Sequence, residues 1–100
     1  MEVTINKNGG KTVAVLSGRL DTTNADQFQK DITPLMEDPS PDFEIDCTDM
    51  MYTSSQGLRI FLMLQKSVSS KGGSMVMTNM KPQGKEVFDI TGFSNIIKII

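Results

Sequence analysis

At the start of the chain, two segments show the two-residue alternation of apolar and polar positions that is typical of β-strands. The segments Val3 to Asn6 and Thr12 to Ser17 are rich in β-branched residues with an alternating pattern. Between them, Asn8 to Gly10 supplies residues that readily adopt the positive φ angles of a tight turn. The pattern predicts a β-hairpin.

Beyond the hairpin, the apolar spacing changes to that of a helix. From Thr22 to Met36 the apolar residues share one helical face, and we expect Asp21 or Thr22 as the N-cap. Pro34 lies near the end of this run, where it is expected to kink the last turn. The segment Pro39 to Pro41 then ends the helix and precedes a return strand.

A strand, a helix and another strand are predicted next. The run Phe43 to Cys47 alternates apolar with acidic residues, as expected of a strand with one covered face. The helix after Ser55 has a broad apolar face and leads through Gly72-Gly73 to a strand from Ser74 to Thr78. At about 100° per residue, Met63 falls in the polar sector of this helix, so we expect it to face solvent or a partner.

The end of the chain predicts one more helix and one more strand. Lys81 to Ile90 has the pattern of a short helix with Val87 and Ile90 facing inward. Gly92 is expected to stop this helix, and Ile96 to Ile100 reads as a last apolar strand. Strands that alternate with helices predict an α/β sandwich.

Three hydroxyl residues, Thr53, Ser54 and Ser55, stand directly before the central helix. One of them is explained by capping, in which a side-chain oxygen accepts a hydrogen bond from a free backbone N–H and contributes about 1 kcal/mol. Thr53 and Gln56 have the spacing of a capping box. The second interpretation is phosphorylation, because the added negative charge suits the positive end of a helix dipole. Residue chemistry alone favours capping.

Three segments of the chain resemble the motifs of the STAS domain, the fold of bacterial anti-sigma factor antagonists, and they occur along the chain in the same order as in that family. Asp46 to Leu64 is similar to the central signature, in which a strand end leads through a Ser/Thr-rich turn into a Gly-Leu-Arg/Gly helix. Leu16 to Asp21 resembles the Gly-x-Leu-Asp turn, and Val87 to Phe93 resembles the closing Thr-Gly segment. The resemblance spans nearly the whole chain. It implies a single STAS-like sandwich over residues 1–100, with a mixed β-sheet of four to five strands packed by three to four helices.

The same resemblance implies a function. Aligned on Gly57, the phosphorylated serine of the family falls on Ser55, and Ser54 is a second candidate acceptor. Ser54 is also a departure, because the best-known phosphorylated members carry Asp there. The implied role is that of an anti-sigma factor antagonist, which binds an anti-sigma factor when unmodified and so releases a sigma factor. That partner is expected to be the serine kinase for Ser55, and a separate protein phosphatase resets the switch.

We expect the partner to bind a surface around these serines. Asp21 resembles the family residue beside the serine turn, although the role of helix N-cap explains it equally well. Met50 and Met51 lie close by in the sequence, and two interpretations stay open for them, adaptable filling of the core or a pliable contact surface. The expected partner-binding residues are Asp21, Thr53, Ser54, Ser55, Gln56, Gly57, Arg59 and Met63.

Ser54 in place of Asp keeps a different class of function open. In that alternative, the chain is a scaffolding STAS subunit of a multi-protein sensor or a lipid-transport complex, and it is not phosphorylated.

Composition narrows the choice of partners and location. The 100 residues include 10 basic and 12 acidic ones, for a net charge of −2, with no basic stripe that would attract nucleic acid or an anionic membrane. The N-terminus lacks the pattern of a signal peptide, and the longest apolar run, Ile60 to Leu64, is far shorter than a membrane span. We therefore expect a cytoplasmic protein that binds other proteins.

The sequence gives little support for a function as an enzyme. The chain has no histidine, which excludes Ser-His-Asp and Cys-His catalysis and removes the commonest zinc ligand. Asp46 and Asp49 are better explained as a solvated loop than as a cation site. The lone Cys47 is expected to be a small buried residue. We expect no enzyme, no cofactor and no metal site.

Overall fold

The computed structural model describes all residues from Met1 to Ile100 and contains five strands, three α-helices and one short 3-10 helix. In chain order these are β1 (Glu2–Asn8), β2 (Lys11–Leu20), α1 (Ala25–Met36), β3 (Asp42–Thr53), α2 (Ser55–Ser70), β4 (Ser74–Thr78), α3 (Pro82–Ile90), the 3-10 helix (Phe93–Asn95) and β5 (Lys98–Ile99). The predicted α/β sandwich is confirmed.

The five strands form one mixed sheet in the order β1-β2-β3-β4-β5. β1 and β2 pair antiparallel as the predicted hairpin, and Gly9 adopts φ 64° in the turn between them. The remaining neighbours pair parallel, so β2, β3 and β4 are linked through the crossover helices α1 and α2. This direction places the carboxyl ends of β2, β3 and β4 at one edge of the sheet, where α1, α2 and α3 begin.

All three α-helices pack on one face of the sheet. The ring of Phe61 in α2 contacts Phe28 of α1 at 5.4 Å and Phe88 of α3 at 6.0 Å between centroids, and all three rings are fully buried. The opposite face carries polar residues such as Glu44, which accepts a hydrogen bond from Thr78 and lies 3.4 Å from Lys11. The core is therefore one apolar layer between the sheet and the helices. None of these helices is long and apolar enough to cross a membrane.

The first helix starts later than predicted. It begins at Ala25, with Asn24 in the N-cap position, so neither Asp21 nor Thr22 is the cap. The carboxylate of Asp21 instead accepts hydrogen bonds from the backbone N–H of Thr23 at 2.9 Å and from its hydroxyl at 2.6 Å. These local bonds hold the segment in a turn and compete with helix formation.

Two predictions near the end of the chain were also wrong in detail. Ile90 is 77% exposed, and Phe88 is the fully buried residue of α3 because it reaches Phe61 across the core. Gly92, at φ 81°, follows the end of α3 as predicted, but the chain then forms the 3-10 helix, which leaves a last strand of only two residues, Lys98–Ile99.

The central strand is longer than its alternating pattern indicated. β3 continues to Thr53, and its pairing with β2 shifts register twice, between Val15 and Ser17 and between Gly18 and Arg19. Because a shift by one residue reverses which face a side chain occupies, Met50 is only 4% exposed. Of the two interpretations left open for these methionines, Met50 therefore fits core filling, whereas Met51 is 64% exposed.

Candidate functional site

The serine turn, residues 53–57, lies at the sheet edge where β2 and β3 end side by side. Leu20 at the end of β2 is in register with Thr53 at the end of β3. The backbone N–H of Ser54 then donates to the carbonyl of Leu20 at 2.8 Å. The segment that resembles the Gly-x-Leu-Asp motif and the Ser/Thr-rich segment are thus joined in space, although they are more than thirty residues apart in sequence.

Ser54 is the N-cap of α2. Its backbone is extended, at φ −85° and ψ 172°, and its side-chain oxygen accepts a hydrogen bond from the N–H of Gly57 at 3.3 Å. The N–H of Leu58 donates to the Ser54 carbonyl at 3.0 Å and begins the helical ladder. Because Asp and Ser cap helices about equally well, the departure from the family at Ser54 preserves the capping oxygen.

Thr53 belongs to the floor of the turn. Its pairing with Leu20 keeps it in β3, where it is 6% exposed and its hydroxyl donates to the Ser54 carbonyl at 3.3 Å. The predicted capping box between Thr53 and Gln56 was therefore wrong. A buried side chain supports the turn from below, so the expectation that Thr53 contacts a partner is corrected as well.

Gly57 completes this floor. A Cβ at Gly57 would lie 2.4 Å from the Thr53 hydroxyl oxygen and 2.6 Å from Cδ2 of Leu20, closer than real Cβ atoms approach other atoms. Only glycine lets the first turn of α2 sit this close to the ends of β2 and β3. Gly57 is buried, so its expected role in partner binding is corrected to packing.

The remaining predicted residues of the turn and helix form an exposed rim. Ser55, the first residue of α2, is exposed, and so are Gln56 and Arg59. Met63 is 42% exposed, which confirms its expected outward position. The side chain of Ser54 caps the helix, and the hydroxyl of Thr53 makes the hydrogen bond inside the turn. Neither of these two hydrogen bonds involves the hydroxyl of Ser55.

Asp21 lies directly after the strand end to which the serine turn is bonded. Hydrogen bonds from the Thr23 hydroxyl and then the Thr23 N–H lower its pKa, and the positive charge of Arg19 adds to the effect. The carboxylate is therefore ionised at neutral pH and held in one orientation. The N-cap role expected of Asp21 belongs to Asn24, and its place in a partner-binding surface stays a prediction.

Sequence reasoning missed two features beside the turn. The guanidinium of Arg19 lies over the ring of Tyr52, 4.8 Å from its centroid, because the shifted register places these residues opposite each other. A pocket between the end of β3 and the start of α3 has an apolar lining that includes Met51, Met80 and Val87. The sequence offered a signal only for the methionines.

Two other side chains of β3, Cys47 and Asp46, could in principle act as a nucleophile or a metal ligand, but their surroundings disfavour such reactions. Burial, with a smaller contribution from the charge of Asp46, raises the pKa of Cys47 to about 12, so its thiol is protonated at neutral pH. The Asp46 carboxylate accepts hydrogen bonds from Thr48 and Asn79, and those bonds lower its pKa. Of the three hydroxyl residues in the serine turn, Thr53 is buried, Ser54 is half-buried and Ser55 is exposed.

Comparison with known proteins places this geometry in a family context. The profile described as "STAS domain" matches residues 2–100. One relative is BtrV of Bordetella bronchiseptica, which is provisionally named as an anti-sigma factor antagonist. It is 30% identical to this chain over 99 residues, and the match covers 99% of this chain and 85% of BtrV. The anti-sigma-B factor antagonist of Bacillus subtilis is also 30% identical over 99 residues, covering 99% of this chain and 90% of its own.

Solved structures share the fold. An anti-sigma factor antagonist from Mycobacterium paratuberculosis superposes with a TM-score of 0.87 at 19% identity, covering 98% of this chain and 83% of its own. The phosphorylated form of the Bacillus cell fate determinant SpoIIAA superposes with a TM-score of 0.74 at 16% identity, covering 99% of this chain and 91% of its own.

Proposed function

The chain belongs to the STAS domain family, and from that premise we propose that it is an anti-sigma factor antagonist controlled by phosphorylation of Ser55. The observation that carries this proposal is the placement of Ser55 as an exposed first residue of α2, next to a capping Ser54 and a buried Thr53. Two relatives at 30% identity carry the antagonist name, and a related fold is known in a phosphorylated form.

In the unmodified state the exposed rim of Ser55, Gln56, Arg59 and Met63, with Asp21 beside it, binds the anti-sigma factor. The sigma factor that the partner held is thereby released in the cytoplasm. The domain contributes no catalysis of its own, because it is the substrate of a kinase and the ligand of a partner.

The modifying reaction needs an exposed hydroxyl and nothing more from this chain. The serine kinase activity of the anti-sigma factor joins Ser55 Oγ to the γ-phosphorus of ATP. As that bond forms, the bond from the γ-phosphorus to the bridging oxygen breaks, ADP leaves, and the hydroxyl proton passes to a base of the kinase. A protein phosphatase later hydrolyses the serine phosphate and restores the binding surface.

The phosphate changes binding through charge and hydration. It adds about −1.5 to −2 charges to a rim that otherwise presents a neutral hydroxyl. Burying that charge against an apolar or acidic partner costs desolvation and repulsion, and a cost of about 3 kcal/mol weakens binding about a hundredfold. The scaffold is expected to stay folded, because the phosphate would stand at the positive end of α2.

The test compares Ser55→Asp with Ser55→Ala. We expect both variants to melt close to the wild type, the Asp variant to lose binding to its anti-sigma factor kinase, and the Ala variant to bind that kinase constitutively. Calorimetric titration measures the affinities. Equal binding by the two variants, or an unfolded Asp variant, would contradict the switch.

Intact-mass measurement after incubation with that kinase and ATP separates the two classes of function. The switch predicts one added phosphoryl group on the wild type and on Ser54→Ala, and none on Ser55→Ala. A scaffolding STAS subunit would gain no phosphate in any of the three.

A further inference from the structure

The outer face of α2 carries positive charge close to Ser55. Arg59 lies four residues after Ser55, so the two side chains are neighbours on the helix surface, with Cβ atoms about 5–6 Å apart. Both residues are exposed. The sequence of α2 contains no acidic residue, and Lys66 is a further cation on the same side of the helix.

Arg59 has no charged partner in the unmodified protein. The one salt bridge within 4.0 Å joins Lys11 to Glu44 on the far face of the sheet. Asp26, at the start of α1, lines the same cleft between α1 and α2 as Arg59, but it does not come within that distance. The guanidinium is therefore available to a stronger anion placed near it.

We infer that Arg59 is the intramolecular counter-ion of phosphorylated Ser55. The inference rests on the proposed phosphorylation and names what the phosphate contacts. A guanidinium donates two parallel hydrogen bonds to phosphate oxygens, and an anion four residues before a cation is the favourable order along a helix. The dianion competes for Arg59 more strongly than the single charge of Asp26.

This pairing gives the modification a second effect on the rim. Phosphorylation adds negative charge at Ser55 and also withdraws Arg59, the exposed cation beside it, from contact with a partner. The spacing is specific for Ser55, because Ser54 is five residues from Arg59 and its side-chain oxygen already caps the helix.

The experiment tests the pairing of Arg59 with phosphorylated Ser55 in the isolated protein, with no anti-sigma factor present. Phosphoserine is incorporated at position 55 by genetic encoding, and the second ionisation of the phosphate is followed by 31P NMR between about pH 4 and pH 8, around its usual midpoint of about 6. We expect the midpoint to rise by about 0.3 pH unit in Arg59→Gln relative to the wild type, because a nearby cation favours the dianion.

Lys66→Gln is the matched control. It removes one positive charge from the same side of the helix, but about 16 Å from Ser55 along the axis, beyond the screening length of about 8 Å at physiological ionic strength. Its midpoint is expected to match the wild type. Equal midpoints in the wild type and Arg59→Gln, or equal shifts in both variants, would overturn the inference.

Asp26→Asn tests the competing partner. Removal of that carboxylate is expected to leave the midpoint unchanged or lower it slightly, and a rise would contradict the pairing. None of these titrations involves the anti-sigma factor, so they stand apart from the switch. If Ser55→Asp and Ser55→Ala bind the partner equally, the proposed function fails, whatever the phosphate titration shows.

Discussion

The floor and the rim of the serine turn are made by neighbouring residues with opposite surroundings. Thr53 and Gly57 are buried against Leu20, and no atom can be added at Gly57 without a clash. Ser55 and Arg59, each two positions from one of these residues, are exposed. Buried and exposed positions thus lie within one short segment, and we expect that the buried ones can be changed to alter stability and the exposed ones to alter partner binding.

Gly57→Ala is expected to have the largest effect on stability and tests the floor. Alanine favours a helix over glycine by up to about 1 kcal/mol, but its Cβ would overlap Thr53 and Leu20. We expect a net loss of about 2 kcal/mol in the free energy of unfolding, from overpacking, measured by urea denaturation.

Gly84→Ala is the control for that prediction. Gly84 also lies in a helix, but a Cβ there would meet only the flexible side chain of Met80, at 3.1 Å. The substitution should leave stability unchanged or raise it by a few tenths of a kcal/mol. If both alanine variants behave alike, the close packing beneath the serine turn has no energetic importance.

Ser54→Ala is expected to have an intermediate effect, because Ser54 links floor and rim as the helix cap. Loss of the bond from the Gly57 N–H should lower the free energy of unfolding by about 1 kcal/mol. Ser54→Asp restores the family residue and should stay within a few tenths of a kcal/mol of the wild type. A loss in Ser55→Ala as large as that in Ser54→Ala would show that the assignment of cap and acceptor is reversed.

Met63→Lys is expected to have the smallest effect on stability and tests the rim. Because Met63 is 42% exposed, the free energy of unfolding should change by no more than about 0.5 kcal/mol. Binding of the anti-sigma factor should weaken, since an apolar contact is replaced by a charge.

Ser70→Lys is the control for added charge, because it lies exposed at the far end of the same helix. It should leave affinity unchanged. A large fall in melting temperature for Met63→Lys would place Met63 in the core instead.

Local patterns predicted the elements whose signals lie within a few residues. The turn at Asn8 to Gly10 produced the hairpin, and the strand Ser74–Thr78 was observed with the predicted bounds. The start of α1 was missed because Asn24 accepts from the N–H of Asp21 and donates to the carbonyl of Arg19. Such side-chain bonds depend on neighbours in space that a periodic pattern does not contain.

The candidate site was predictable only in part. The resemblance pointed to Ser55, which is exposed, and helical periodicity correctly predicted that Met63 faces outward. Neither revealed that Thr53 lies below the surface, because its position follows from the pairing of β2 with β3 after two register shifts. The Arg19 and Tyr52 stack depends on the same shifts.

The hairpin turn at Gly9 stands at the opposite end of β2 from the serine turn. The ten residues of that strand separate the two by about 30 Å, and nothing lies within 4 Å of a side chain added at Gly9 or Gly10. A fluorophore or an affinity handle inserted in this loop would leave the serine turn untouched, so the loop is suited to labels that follow the proposed binding of the anti-sigma factor in a living cell.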